Sequence, residues 1–147
     1  MNLISKNYNM VNTIDMKGIM HLNLFNRITR IQTRYCFSYN EILMFCVPKY
    51  DLPRALGRNG ENLKRMSDIL KKRIRIIPIP RGLQDAKSFI QLVIAPVGFK
   101  DIEVGNGEII VNAGSENKAA LLGRNKRRLL EMKEIVKDFF KAEYKVI

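Results

Sequence analysis

Leu56-Gly57-Arg58-Asn59-Gly60 is followed 66 residues later by Leu122-Gly123-Arg124-Asn125-Lys126, a second copy of the same short motif. Behind each copy, apolar residues recur at the spacing of one helix face. Because motif and helix pattern repeat together, the sequence predicts two copies of one structural unit, each with a glycine-containing loop that leads into an amphipathic helix. The matched pairs behind the motifs are Leu63 with Leu129, Met66 with Met132, Leu70 with Val136, and Lys71 with Lys137.

The residues around the first motif predict the order helix, strand, strand, short helix, helix, strand. Thr13 is expected to cap a helix that runs to about Thr29, and a hairpin turn is expected at Tyr39-Asn40. Asp51 is expected to cap a short helix that has Pro53 in its first turn. The other expected features are strands Arg34–Ser38 and Glu41–Val47, the end of the short helix at Leu56, a helix from Glu61 to about Lys72 with Leu63, Met66, Ile69 and Leu70 on its apolar face, and strand Arg73–Ile77, stopped by Pro78 and Pro80.

The second copy predicts the same order. Gly105-Asn106-Gly107 favours a tight hairpin turn, because glycine and asparagine tolerate positive φ, and Ser115 is expected to cap the short helix that ends at Leu122. The resulting division is a flexible tail at 1–12, a first domain at 13–80 and a second at 81–147. The other expected elements are helix Asp85–Ile94, ended before Pro96, strands Phe99–Val104 and Glu108–Ala113, helix Arg127–Phe140 and strand Glu143–Val146.

The charge of the chain indicates a polyanionic partner. Lysine and arginine number 26 against 14 acidic residues, which gives a formal net charge of +12 and a pI near 10.0. Such an excess repels itself in the folded state, and a polyanion relieves that repulsion. Nucleic acid is the first interpretation, an anionic membrane the second, and a merely soluble basic protein the third.

The remaining composition favours a reduced, cytoplasmic, non-enzymatic protein. Cys36 and Cys46 form no CxxC pair, so two buried free thiols are expected and a zinc site is not. The start of the chain has no signal-like apolar run, and the longest apolar stretch, Ile42–Val47, is too short to cross a bilayer. His21 is the single histidine, and we find no nucleophile set, paired carboxylates or Walker loop. We therefore expect no catalysis, no cofactor, no metal and no membrane partner.

The two motifs have the chemistry of a phosphate-binding loop. Glycine lets the backbone turn sharply and approach a phosphate closely, and the N–H groups at the start of the following helix favour an anion. Arginine adds a fixed positive charge, and asparagine accepts left-handed geometry. A short glycine loop between two helices, flanked by strands, is the arrangement that clamps the backbone of single-stranded RNA.

The candidate RNA-binding residues follow from that arrangement. Lys49, Arg54 and Lys64 flank the first loop, and a phosphate contact and a solvated helix face explain these three equally well. The full set is Gly57, Arg58, Asn59, Gly60, Lys64, Lys49 and Arg54 in the first copy, and Gly123, Arg124, Asn125, Lys126, Arg127 and Arg128 in the second.

On these residues the chain resembles a known family. Leu56-Gly57-Arg58-Asn59-Gly60-Glu61-Asn62 and Leu122-Gly123-Arg124-Asn125 are similar to the loops of type II KH domains, and the tandem arrangement is similar to the archaeal NusA-like proteins. Phe89-Ile90 before Ala95-Pro96, and Thr29 before Cys36, fit the same pattern, so that the resemblance covers the chain from about Thr13 to its end.

The resemblance implies an α+β fold of two tandem type II KH domains, each α-β-β-α-α-β with a three-stranded mixed sheet. It also implies a monomeric transcription elongation and termination factor that binds nascent single-stranded RNA near RNA polymerase. Two alternatives stay open: a ribosome-associated or rRNA-maturation protein, and a KH fold that docks on a protein and no longer grips RNA. Lys126 departs from the pattern, because it stands where the loop would have its second glycine, and we expect a weaker and more electrostatic grip there.

Overall fold

The computed structural model describes residues 16–147, and the predicted tail at 1–12 and the Thr13 cap lie outside the described residues. The chain divides between Ile79 and Pro80 into two compact units. Each unit has one three-stranded mixed sheet within an α+β arrangement, as expected. No helix of the described part is long and apolar enough to span a membrane.

The first unit has the predicted order of elements. Strand β2 pairs antiparallel with β1 and parallel with β3, so the chain must cross over the sheet through two helices to reach β3. A 3₁₀ turn, Lys49–Asp51, leads into α2, and another, Arg58–Gly60, leads into α3. The elements are α1 Met16–Thr29, β1 Tyr35–Tyr39, β2 Ile42–Val47, α2 Leu52–Leu56, α3 Glu61–Leu70 and β3 Arg73–Pro78.

The hairpin of the first unit turns one residue later than predicted. Tyr39 pairs with Ile42, which leaves Asn40 and Glu41 as a two-residue turn in which both φ angles are positive. Two positive φ angles define a type I′ turn, whose twist matches that of the flanking strands. Glutamate rarely adopts a positive φ, so the sequence pattern did not predict the turn at this position. Strand β3 ends at Pro78, one residue later than predicted, because Pro78 still pairs with Val47 at the strand end.

The core of the first unit lies between the helices and one face of the sheet. Phe25 of α1 stacks on Phe45 of β2 with ring centroids 4.5 Å apart, and Met66 of α3 is fully buried beside them. The prediction that Ile69 belongs to the apolar face of α3 is wrong, since 52% of its surface is exposed. Ile69 lies to the side of the stripe formed by the other three apolar positions of this helix.

The second unit repeats the topology with shorter second and third strands and a longer last helix. Strand β5 pairs antiparallel with β4 and parallel with β6, and 3₁₀ turns at Leu83–Asp85 and Arg124–Lys126 precede α4 and α6. The hairpin turns at Asn106-Gly107, within the predicted tripeptide. The bounds of α6 and β6 are the predicted ones. The elements are α4 Ala86–Ile94, β4 Asp101–Gly105, β5 Glu108–Asn112, α5 Lys118–Leu122, α6 Arg127–Phe140 and β6 Glu143–Val146.

Neither predicted side-chain cap forms on the short helices. Asp51 does stand at the N-cap position of α2, but its carboxylate makes no capping bond and lies 3.5 Å from the Arg54 guanidinium. Helix α5 begins at Lys118 after Asn117, so Ser115 is not its cap. In both places the preceding turn supplies the acceptor instead: the Lys49 carbonyl accepts the N–H of residue 52, and the Gly114 carbonyl accepts that of Lys118.

Cys36 and Cys46 are buried free thiols, as predicted. Cys36 pairs with Phe45 and Cys46 with Tyr35, so the two cysteines are offset by one position across the hairpin. Burial raises the pKa of the Cys36 thiol to about 12, and it also raises the pKa of Cys46 well above its usual value. Both side chains therefore stay protonated and act as small apolar residues of the core.

Candidate nucleic-acid interface

Each loop begins with a glycine in a conformation that other residues avoid. Gly57 has φ 81° and ψ 172°, and Gly123 has φ 76° and ψ 171°. Their N–H groups close the preceding short helices by donating to the carbonyls of Pro53 and Ala119, at 3.1 and 2.9 Å. This backbone region is essentially restricted to glycine, so the first position of each loop is fixed by geometry before any ligand is considered.

The third and fourth loop positions are left-handed in both copies. Asn59 and Asn125 both have φ 55°, and Gly60 and Lys126 have φ 71° and 60°. The N–H groups of Gly60 and Lys126 each donate to the carbonyl of the first loop glycine at 3.1 Å. Lys126 thus takes the backbone conformation of the glycine it replaces, and the second loop keeps the shape of the first.

The two glycines of the first loop are required for different reasons. A Cβ on Gly57 would lie 2.9 Å from the side chain of Asn62, and one on Gly123 would lie 2.7 Å from that of Arg128. A Cβ on Gly60 would meet nothing within 4 Å. The first position therefore requires glycine both because a Cβ would clash and because of its backbone conformation. The fourth position requires only a left-handed backbone, which explains why lysine is accommodated at 126.

A side chain five residues after the first glycine ties each loop to the helix before it. The amide of Asn62 donates to the carbonyls of Arg54 and Ala55, at 3.3 and 3.2 Å, near the end of α2. In the second unit the guanidinium of Arg128 donates to the carbonyl of Ala120 at 2.9 Å. These bonds satisfy carbonyls that a helix end would otherwise leave without partners.

Those hydrogen bonds change the interpretation of two residues. Asn62 was not among the predicted site residues, and the signal for it is only that positions 62 and 128, related by the repeat, both carry a side-chain donor. Arg128 was predicted to bind RNA, yet it is half-buried and one of its N–H groups already serves the protein. Both residues hold the loop in shape, and Arg128 has further donors that remain available for an anion.

The other predicted cations surround the loops on the protein surface. Arg58, Arg124, Lys126 and Arg127 are exposed at the loops themselves. Lys64, also exposed, is the fourth residue of α3 and so lies one turn beyond the first loop.

The two cations before the first loop are placed differently. Arg54 keeps 64% of its side-chain surface exposed beside Asp51, and it precedes the loop glycine by three residues. Lys49 stands eight residues before Gly57 at the far end of the helical segment, about 12 Å away along its axis. It is therefore the predicted site residue of the first unit that lies farthest from the loop.

The described residues form no candidate metal site near these loops. Among residues 16–147 there is no group of three histidine, cysteine or carboxylate side chains that could hold a metal ion. The arrangement of glycines, left-handed turns, helix starts and exposed cations is one that accepts an anion from solvent.

Three archaeal proteins, each named probable transcription termination protein NusA, match this chain. The protein of Methanococcus vannielii is 29% identical over 114 residues, which cover 75% of this chain and 64% of the relative. That of Thermoplasma acidophilum is 20% identical and covers 87% and 90%, and that of Methanocaldococcus jannaschii is 26% identical and covers 88% and 72%. The chain resembles the archaeal NusA-like proteins. It spans less than two thirds of the length of the Methanococcus vannielii protein.

The fold also has a solved counterpart. The crystal structure of APE1850 superposes with a TM-score of 0.59 and covers 91% of this chain and 99% of that one, at 21% sequence identity. This match supports the α+β architecture with two mixed sheets, which is consistent with KH-like domains. No protein-family model matches the chain.

Proposed function

We propose that this chain is a non-enzymatic single-stranded RNA-binding protein built of two tandem type II KH domains, at 13–80 and 81–147. The observation that carries the proposal is the repeated loop. Two segments that differ in sequence at the fourth position adopt the same left-handed turn, and each leads directly into the start of a longer helix. The same turn occurs at the same position in both units, with exposed arginine and lysine residues near it. This supports one type of anionic ligand for both loops.

In the proposed mechanism the phosphates of the RNA lie on Gly57–Gly60 and Gly123–Lys126. The positive end of the helix dipole at the starts of α3 and α6 attracts the phosphate oxygens. Arg58 and Arg124 add charge-assisted hydrogen bonds, and the absence of a Cβ at the first glycine lets the RNA backbone approach. Binding neutralises part of the net charge of +12 and requires no chemical step.

The names of the similar archaeal proteins support a place in transcription. We propose an elongation or termination factor that acts as a monomer in the cytoplasm on nascent RNA and associates with RNA polymerase. Affinity purification of the tagged chain from its native cells separates this role from its alternatives. RNA polymerase subunits should copurify, whereas ribosomal proteins would indicate rRNA maturation, and a nuclease-resistant complex without RNA would indicate protein docking.

Fluorescence anisotropy with short single-stranded RNA and the matching DNA, across salt concentrations, tests the RNA-binding site. The double variant Asn59→Asp/Gly60→Asp places two negative charges at the first loop without a steric clash, and it should bind RNA far more weakly than the wild type. The matched control Asn23→Asp/Gly98→Asp makes the same charge change at exposed positions away from the loops and should bind normally. Equal affinity of a folded loop variant and the wild type would refute the loop assignment.

A further inference from the structure

The two loops have the same backbone conformation, but the residues that flank them differ between the two units. The repeat places Tyr50 at the position of Glu116, Arg54 at that of Ala120, and Lys64 at that of Leu130. The flank of the first loop thus has an aromatic ring and two cations. At the same positions the second unit has a carboxylate, a methyl group and an isobutyl group.

Tyr50 lies on a line that leads to the first loop. The 3₁₀ turn Lys49–Asp51 continues into α2 without a break in helical geometry. Positions three or four apart on a helix face the same side, so Tyr50 stands about one turn before Arg54, and Arg54 about one turn before Gly57. The whole stripe is about 10 Å long, a distance that adjacent nucleotides of a single strand can follow.

The ring of Tyr50 is available to a ligand. It is 84% exposed, more than any other exposed large apolar side chain of the described residues. Single exposed apolar residues are common and need no explanation by themselves. Tyr50 differs from exposed Met20 of α1, for example, because it lies on the segment that ends at the loop, with cationic Arg54 about one turn farther along. An exposed flat ring on the same segment as a cation and the loop suits a nucleotide, which presents a π-face and a phosphate together.

We propose that Tyr50 stacks on an unpaired base of the RNA whose phosphates lie at the first loop. The first unit then contacts both base and backbone, whereas the second unit holds the backbone alone. This inference rests on the proposed function, and it adds a base-contacting residue that the loop motif does not contain.

Tryptophan fluorescence tests the stack in the full chain. The protein has no tryptophan, so Tyr50→Trp introduces a single tryptophan at the proposed contact, which can be excited apart from the remaining tyrosines. Titration with a single-stranded RNA of about eight nucleotides, enough for two modules of four, should quench this emission. An oligonucleotide of the same length without bases should bind without quenching it. Met20→Trp, at another exposed position on α1, is the control, and its emission should respond to neither oligonucleotide.

Affinity measurements complete the test. Tyr50→Ala should weaken binding of the RNA about fivefold or more while leaving the baseless oligonucleotide unaffected, and Tyr50→Phe should behave as the wild type. Because the side chain is exposed, the unfolding midpoint of Tyr50→Ala should stay unchanged.

Three results would overturn the stack. If Tyr50→Ala binds RNA normally while Asn59→Asp/Gly60→Asp does not, the stack is wrong and the proposed function stands. If Tyr50→Ala loses affinity equally for RNA and for the baseless strand, Tyr50 positions α2 and contacts no base. If the loop variant and the wild type bind alike, the proposed function fails and the stack fails with it.

Discussion

Glycine is usually required either because there is no room for a Cβ or because the backbone is left-handed. At the fourth position of each loop only the second reason applies. Gly60 and Lys126 share a left-handed backbone, and neither position is sterically closed. A lysine in this conformation costs stability, because its Cβ approaches the following carbonyl. The exposed lysine also adds a positive charge at the place where a phosphate is proposed to lie. Stability and binding are therefore expected to respond in opposite directions when this residue is changed.

Lys126→Gly should raise the free energy of unfolding by about 0.5–1 kcal/mol, since relief of left-handed strain exceeds the added freedom of the unfolded chain. The same variant should bind single-stranded RNA more weakly and with a shallower salt dependence. Chemical denaturation and anisotropy on one preparation measure both effects. A variant that is less stable, or that binds more tightly, would contradict this account.

Gly57→Ala should destabilise the protein by about 3 kcal/mol, because the methyl group meets Asn62 and the backbone conformation is closed to alanine. Gly60→Ala, where only the backbone conformation is unfavourable, should cost about 1 kcal/mol. Urea unfolding of the two variants compares them directly. Equal losses of stability would mean that the close approach of Gly57 to Asn62 has no structural role.

At the scale of elements, each functional loop is held between a short helix and a long one. Helix α2 has five residues, too few to be stable alone, and its last carbonyls are held by the amide of Asn62 from the next helix. The same device joins α5 and α6 through Arg128. The shape of the loop therefore depends on a contact between helices as well as on its own glycine.

Asn62→Ala removes both hydrogen bonds to α2 and should lower the free energy of unfolding by about 1 kcal/mol. We also expect a few-fold loss of RNA affinity, because the loop is no longer held in the binding conformation before RNA arrives. Chemical denaturation measures the stability and anisotropy measures the RNA affinity. Asn23→Ala, at an exposed position of α1, is the control. An unchanged affinity would show that the loop keeps its shape without these hydrogen bonds.

The repeat allowed the order of the elements to be predicted, because glycine loops and apolar spacing are local features. Details that depend on tertiary contacts were not predictable. Sequence matching pairs Lys71 with Lys137, yet the left-handed cap equivalent to Lys71 is Lys141, because α6 is four residues longer than α3. The added turn places Phe139 and Phe140 against Phe89. The hydrogen bonds of Asn62 reach only seven and eight residues back, but they depend on how the loop folds α3 against α2, which apolar spacing does not report.

For the whole molecule, the two units share one fold, but the surfaces around their loops carry different residues. The two loops share a backbone conformation and a matching arginine, but Tyr50, Arg54 and Lys64 beside the first are replaced by Glu116, Ala120 and Leu130 beside the second. On the proposed function, the first unit should contribute more of the affinity. The second should contribute mainly the charge of Arg124, Lys126 and Arg127.

Asn59→Asp and Asn125→Asp test this ranking as a matched pair. Both residues are exposed, both have φ 55°, and both substitutions change the charge equally. We predict that Asn59→Asp weakens binding of single-stranded RNA more than Asn125→Asp does, and that each flattens the log–log salt slope by about 0.7 for every phosphate that the protein no longer neutralises. Anisotropy at several salt concentrations measures both quantities. A greater weakening by Asn125→Asp would reverse the ranking.

If the two loops hold the RNA backbone, as proposed, the amide resonances of the loops report the contact most directly. A ¹⁵N-labelled full chain should be titrated with single-stranded RNA and followed by NMR. We predict that the amide signals of both loops shift together as binding proceeds, along with those of the first residues of α3 and α6. The loop signals are those of Gly57–Gly60 and Gly123–Lys126. Shifts confined to other surfaces, with these loop amides unmoved at saturation, would contradict it.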